Sequence, residues 1–132
     1  MANKNRCLTP ATDEECRRAR LSLQDTLDVV GGKWKLVLIA ILRGGKLKFR
    51  ELSREAGISP RILSKELKEM EVNGLVTRTV LDTSPIMVEY ELTPYSNTLS
   101  EVIIAMHEWG KKHRQKMIGQ KSTESDSLSK NV

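Results

Sequence analysis

The sequence predicts a mainly α-helical fold with one small β-hairpin, and three observations support this. Residues 57–74 form a short helix with a definite start and stop, because Ser59 can cap it and Pro60 fits its first position, while Gly74 allows a left-handed end. An amphipathic segment, residues 48–56, precedes this helix across a tight turn. Two β-prone runs, residues 75–81 and 86–92, follow it. This order is that of a winged helix-turn-helix.

The helix over residues 57–74 has two different faces. Its apolar side is formed by Leu63, Leu67 and Met70 with Ile62. Its opposite side carries Arg61, Ser64, Lys65 and Lys68. Such a basic face indicates a recognition helix for the major groove of double-stranded DNA. Two alternatives stay open: a basic face that meets only water, and a winged helix that binds another protein, which would need an exposed apolar face instead.

The predicted DNA contacts divide into two groups. Arg61, Ser64 and Lys65, in the first half of the helix after the cap Ser59, are expected to meet base edges. Phosphate contacts are expected from residues further from the groove floor, which are Lys68, Arg50, Arg54 and, at the base of the wing, Arg78.

The charge distribution supports the same interpretation. The chain has 132 residues, of which 39% are hydrophobic and 30% charged, a balance typical of one globular domain. Its net charge of +5 is modest, but residues 44–80 contain eight Lys and Arg against five Glu, whereas residues 81–100 contain three acids and no base. The positive charge therefore gathers on the helix-turn-helix, as a polyanion partner requires.

The N-terminal part predicts a flexible arm and two helices. Residues 1–11 are polar and contain neither a signal peptide nor a membrane span, so a cytoplasmic protein is expected. Thr12 and Glu15 have the spacing of a capping box, and a first helix then runs to Gly31. Its apolar positions are Cys16, Leu23, Leu27 and Val30. A second helix over residues 33–43 has the strongest apolar periodicity of the sequence, at Trp34, Val37, Leu38, Ile41 and Leu42, and is expected to be the central core helix; Leu47 can add a short strand after it.

The C-terminal part predicts a long helix with an exposed apolar stripe. Thr93 and Pro94 restart a helix after the wing. Its stripe consists of Leu99, Val102, Ile103, Met106 and Trp109. Together with Leu23 and Leu27 of the first helix, this stripe is a candidate homodimer surface, and intramolecular packing is the alternative. The expected domain spans residues 12–118, and residues 119–132 are expected to be a disordered tail because they contain almost no apolar side chain.

Several blocks of the sequence together carry a family resemblance. They are residues 27–36 (LDVVGGKWKL), 49–52 (FREL), 57–64 (GISPRILS), 67–71 (LKEME), 74–76 (GLV) and 88–94 (VEYELTP). In residue types and in spacing, from about residue 21 to residue 110, they resemble the bacterial HxlR family of winged-helix transcription regulators. The resemblance implies a homodimer, formed through the first and last helices, on a palindromic operator.

The cysteines depart from this family pattern. Many similar proteins carry a Cys just before the LDxxGGKW block, whereas this chain has Leu21 and Ser22 there. Of its two cysteines, Cys16 is expected to be a small core residue. Cys7 is the better candidate for a redox-sensitive thiol because the neighbouring Arg6 favours the thiolate, although the simpler expectation is that both thiols are inert.

Nothing in the sequence points to an enzyme, a metal or a cofactor. The two histidines, His107 and His113, lie on the last helix without a Cys or carboxylate at metal-ligand spacing. The glycine pairs at residues 31–32 and 44–45 lack the pattern of a phosphate-binding loop and are helix breaks. The expected partners are double-stranded DNA and a second copy of the chain, with a small-molecule or oxidant effector unknown and no membrane.

Overall fold

The computed structural model describes residues 12–130 of the chain, with side chains as far as residue 119. Five α-helices and three short strands follow one another in this part. Their bounds are α1 Asp13–Val30, α2 Lys35–Leu42, β1 Leu47–Lys48, α3 Phe49–Ala56, α4 Pro60–Val72, β2 Val76–Leu81, β3 Met87–Leu92 and α5 Ser100–Lys130, with a 3₁₀-helix, Pro94–Leu99, before α5. The predicted fold class is confirmed: a winged helix-turn-helix with additional helices at both ends. Cys7 and the rest of the predicted arm lie outside the described residues.

The first two helices show where the sequence patterns hold and where they fail. The Thr12 side chain accepts a hydrogen bond from the Glu15 N–H, and the Glu15 carboxylate accepts one from the Thr12 N–H, which confirms the capping box. In α2 the buried side chains are Lys35, Leu38, Ile39 and Leu42. Val37, predicted for the core, is instead exposed. The helical periodicity identifies the buried side of α2, but the packing of neighbouring elements determines which residues at the edge of that side are covered.

The turn between α3 and α4 is held by local hydrogen bonds. Gly57 adopts a left-handed conformation with φ 68° and ψ 33°, which any side chain would strain. Just before the turn, the Ser53 hydroxyl donates a hydrogen bond of 2.7 Å to the carbonyl of Ile58. The Ile58 side chain is buried, so the turn is fastened to the core on both sides of the glycine. This fixes the direction in which α4 leaves α3.

The wing is an antiparallel sheet in the order β1-β3-β2. The register pairs Val76 with Leu92 and Arg78 with Tyr90. Tyr90 is buried while Glu91 is exposed, the alternation of a strand with one face on the core, but Ile86, just before β3, is 70% exposed. At the base of the wing, the Thr93 hydroxyl donates a hydrogen bond of 2.5 Å to the carbonyl of Gly74, and the Ser96 hydroxyl donates one to the carbonyl of Leu75. The end of β3 is thereby tied to the start of β2.

The first compact unit ends at Ser96, and a second unit, which contains α5, begins at Asn97. The helix α5 continues to Lys130, whereas composition predicted a disordered tail from Gly119. A helix needs no apolar partner to satisfy its internal backbone hydrogen bonds, so a polar sequence does not by itself end it. Side chains beyond residue 119 are not described, and the predicted domain boundaries stay a prediction. Among the described helices, none has an apolar stretch of the length that a membrane crossing needs.

Candidate nucleic-acid interface

Helix α4 begins and ends as the sequence predicted. The Ser59 hydroxyl accepts a hydrogen bond of 3.3 Å from the Ile62 N–H, and Pro60 occupies the first turn. At the other end, Gly74 has φ 73°, the left-handed conformation that stops the helix. The helix is 13 residues long, about 20 Å at 1.5 Å per residue, which suits a single passage along a DNA major groove.

The apolar side of α4 packs into the core. Leu63, Leu67 and Met70 are fully buried, as predicted. Ile62 was also assigned to this side, but 43% of its surface is exposed. It lies at the edge of the apolar stripe, beside the positions that pack against α2, α3 and β2. The exposed face of α4 therefore includes one apolar side chain in addition to the polar ones.

A buried ion-pair cluster joins α4 to α2. The Lys35 Nζ lies 2.7 Å from Glu66 Oε2 and 2.6 Å from Glu69 Oε2. The exposed fractions of the Lys35 and Glu66 side chains are only 9% and 16%, while Glu69 is 45% exposed. The two glutamates are three residues apart and therefore share one face of the helix. Lysine is almost never buried without a charged partner, and here two carboxylates compensate its charge.

These contacts shift two pKa values. Burial alone would lower the pKa of Lys35, but the hydrogen bonds and charges of Glu66 and Glu69 outweigh it and raise the pKa above 10.5. The hydrogen bond from Lys35 and its charge lower the pKa of Glu69 below 4.5. Both shifts mean that the charged forms are favoured in the folded protein.

The ion-pair cluster predicts a definite pH dependence of stability. Because the pKa of Glu69 is depressed, its contribution is present above pH 4.5 and is lost as the pH falls through the folded-state pKa. The contribution of Lys35, whose pKa is raised, is present below pH 10.5 and is lost only above it. The stability difference between wild type and Glu69→Gln should thus be constant at neutral pH and shrink in acid. Urea unfolding of both proteins over an acid pH series measures it; a difference that does not shrink in acid would contradict it.

The predicted DNA-contacting residues are all exposed, and the structure brings part of them together. Arg61, Ser64, Lys65 and Lys68 lie on α4 at helical spacing, facing away from its buried side. Arg50 and Arg54 are exposed on α3, and Ser59 is exposed at the cap. Arg50, Ser64 and Arg78 line one cleft between α3, α4 and the wing, whereas Arg54 does not line it. None of the six Arg and Lys residues forms an ion pair with another residue between 12 and 119.

Two residues of this region were missed by the sequence interpretation. Lys48 lies in the same cleft as Arg50 and Arg78 but is not among the predicted DNA contacts. Lys35, the centre of the ion-pair cluster, is not among the positions that the sequence patterns marked. A signal for Lys35 did exist, because Glu66 interrupts the apolar side of α4 and a buried carboxylate needs a cationic partner.

The predicted dimer residues lie on two helices. On α1, Leu23 and Leu27 are exposed. Within the second unit, Val102, Met106 and Trp109 are exposed and Leu99 and Ile103 are half-buried. The Trp109 ring stacks on the His113 ring at 5.0 Å between centroids. Across the described residues, no three His, Cys, Asp or Glu side chains gather as metal ligands would.

Cys16 was expected to be an inert thiol, and the structure differs on this point. Its side chain is buried, as expected for a small core residue. It is, however, disulfide-bonded in the structure.

The chain is similar to known proteins both in sequence and in structure. Residues 29–118 match the family model described as HxlR-like helix-turn-helix. The chain is 35% identical over 106 residues to the HTH-type transcriptional regulator YtcD of Bacillus subtilis, covering 80% of this chain and 84% of that protein. It is 42% identical over 90 residues to YybR of the same organism, another HTH-type transcriptional regulator, covering 67% and 72%. A solved structure, the redox regulator HypR in its reduced form, is 40% identical and superposes with a TM-score of 0.66, covering 70% of this chain and 93% of HypR.

Proposed function

The chain belongs to the HxlR-like helix-turn-helix family of transcriptional regulators, and we propose that it acts as a homodimer that binds a palindromic operator in double-stranded DNA through α4. One observation carries this proposal. Arg61, Lys65 and Lys68 project from the exposed face of α4 without an ion-pair partner among residues 12–119. Exposed cations on a helix that is anchored to the core are available to bases and phosphates. Its place of action would be the cytoplasm.

Selection of binding sites from random double-stranded DNA tests the proposal. The expected result is enrichment of an inverted repeat whose half-site centres are one helical turn apart, because the two α4 helices of a dimer would enter successive major grooves on one face. Enrichment of no sequence, or of a single half-site without symmetry, would contradict it.

Different residues of α4 are expected to determine the sequence specificity and the overall affinity of DNA binding. Arg61→Ala is expected to cost about 1–3 kcal/mol on the selected operator and to relax the preference at one base pair per half-site, because arginine can contact guanine in a bidentate manner. Lys68→Ala, one turn or more further along, should weaken binding to all sequences alike and lower the salt slope by about one per subunit.

Lys68→Ala serves as the matched control for Arg61→Ala, since both remove one exposed cation from the same helix. Affinities for the operator and for a scrambled duplex across a salt series separate the two roles. If Arg61→Ala lowers the affinity for the operator and for the scrambled duplex equally, Arg61 does not contact bases specifically. The remaining predicted contacts, Arg50, Arg54 and Arg78, are proposed to meet phosphates, with Ser59, Ser64 and Lys65 near the bases.

The homodimer is proposed to form through α1 and α5. Exposed apolar side chains on both helices support this, because large apolar patches on a protein surface mark interaction sites. The residues proposed for the interface are Leu23, Leu27, Leu99, Val102, Ile103, Met106 and Trp109. An alternative role as a protein-interaction module would need an apolar face on α4. The exposed apolar residues of α4 are Ile62 and Val72, which are ten positions apart and therefore do not form a continuous face. We propose no catalytic activity.

A response to thiol oxidation is a second candidate property, favoured by the disulfide bond of Cys16. HypR, the structural neighbour, is described as a redox regulator and has been solved in both reduced and oxidised forms. We expect diamide to lower the operator affinity of the reduced wild type, and to leave the affinity of Cys16→Ala unchanged. Titration of labelled operator with and without diamide measures this, and Cys7→Ala tests the other cysteine. An affinity of the wild type that diamide does not alter would contradict the prediction.

A further inference from the structure

A cleft of about 620 Å³ opens between the wing and the helix-turn-helix. It is bounded by the start of α3, by Ser64 of α4 and by both wing strands, all within the first compact unit. The volume lies inside the range of small-molecule sites, roughly 300–1,000 Å³. The cleft is therefore large enough for an organic molecule of one or two rings.

Part of the cleft lining is aromatic and apolar. The Phe49 and Tyr90 rings lie 6.3 Å apart between centroids, at an interplanar angle of 49°. Pro85, Ile86 and Met87 form the rim on the wing, and the exposed fraction of Ile86 is 70%. A sugar-phosphate chain would gain little from such a surface, whereas a ligand with an aromatic or aliphatic body would cover it and remove it from water.

The same lining also carries cations. Lys48, Arg50 and Arg78 line it, and none of them has an ion pair with a residue between 12 and 119. The one carboxylate of the lining, Glu51, already accepts a hydrogen bond of 3.1 Å from the Lys48 N–H at the start of α3. Three cations against one carboxylate favour an anionic ligand, and a guanidinium binds a carboxylate through two parallel hydrogen bonds.

From this combination of aromatic, apolar and cationic lining residues we infer that the cleft is a binding site for a small aromatic carboxylate. The ring of the ligand would lie against Phe49 and the apolar rim of the wing, and its carboxylate would face Arg78 and Arg50. Binding itself does not depend on the function proposed above. Its regulatory consequence rests on that function: since Arg50, Ser64 and Arg78 are also proposed DNA contacts, the occupied cleft would compete with the operator.

Calorimetric titration of the full chain with 2-naphthoate tests the site. We expect saturable binding at one site per chain, and no binding of the neutral analogue 2-naphthamide, which matches the ring but lacks the charge. Arg78→Gln should weaken 2-naphthoate at least about tenfold, because it removes a charge-assisted bidentate contact. Met87→Glu should weaken it as well by placing a carboxylate at the apolar rim.

Arg54→Gln is the matched control, since Arg54 is an exposed arginine of the same helix-turn-helix that lies outside the cleft. It should leave the affinity for 2-naphthoate unchanged while it weakens DNA. Any one of three results would overturn the site: no binding of 2-naphthoate at millimolar concentration, equal binding of 2-naphthamide, or an unchanged affinity of Arg78→Gln for 2-naphthoate.

Competition with DNA separates this inference from the proposed function. If both hold, 2-naphthoate displaces labelled operator from the wild type, and far less from Met87→Glu. If the chain binds 2-naphthoate but no DNA sequence, the operator proposal fails and the site stands. If the chain binds operator but not 2-naphthoate, and inorganic phosphate alone displaces the operator, the cleft binds the DNA backbone and the proposed ligand site is wrong.

Discussion

Replacing Lys35 by methionine is expected to lower the free energy of unfolding by about 2–3 kcal/mol, at or below the lower end of the range for breaking a buried ion pair because Glu69 is partly exposed. Methionine fills most of the volume of the lysine stem, so the loss would come from the charge and its hydrogen bonds. Glu66, 16% exposed, would be left as a buried carboxylate without a cation. Urea unfolding at neutral pH measures the effect.

Two variants show whether the ion pairs are the cause. Lys33→Met removes an exposed neighbouring lysine, whose ammonium lies 4.9 Å from the centre of the Trp34 ring, and should cost less than about 1 kcal/mol. Adding Glu66→Gln to Lys35→Met should restore most of the lost stability, because it removes the uncompensated charge. If Lys35→Met and Lys33→Met cost the same, the cluster does not anchor α4.

Met106→Glu is expected to convert the proposed dimer to a monomer and to weaken operator binding by about a hundredfold or more, since a monomer loses the gain from two linked half-site contacts. Met106 is 55% exposed in the single chain, so a glutamate there should leave the fold of the monomer intact. Sedimentation at micromolar concentration, together with operator titration, measures both consequences.

Ile104→Glu is the control for Met106→Glu. It makes the same change at another exposed apolar residue of α5, two positions away and therefore on a different side of the helix. It should leave the protein a dimer. A Met106→Glu protein that remains dimeric, or an Ile104→Glu protein that becomes monomeric, would contradict the proposed interface.

Local signals made the helix-turn-helix predictable from the sequence. The cap Ser59, the first-turn Pro60 and the left-handed Gly74 act within a few residues of themselves, so their effect on α4 does not depend on the rest of the chain. A strand with one face on the core alternates buried and exposed residues, and Tyr90 and Glu91 of β3 follow that local rule.

Features that depend on distant contacts could not be predicted in the same way. Burial of Lys35 requires two glutamates 31 and 34 positions later in the chain, so its only sign in the sequence is the distant Glu66 on the apolar side of α4. Val37 and Ile62 lie at the edges of apolar stripes, where the angle of the packed neighbour decides exposure. The cleft joins Lys48, Ser64 and Arg78 from three elements, so no sequence motif marks it.

The claim that α4 reads DNA in a symmetric dimer is tested most directly by hydroxyl-radical footprinting on the selected operator. We expect two protected windows on each strand, separated by about one helical turn and lying on one face of the duplex. Arg61→Ala should reduce protection in both windows equally. A single protected window, or uniform protection along the duplex that a scrambled sequence reproduces, would contradict the claim.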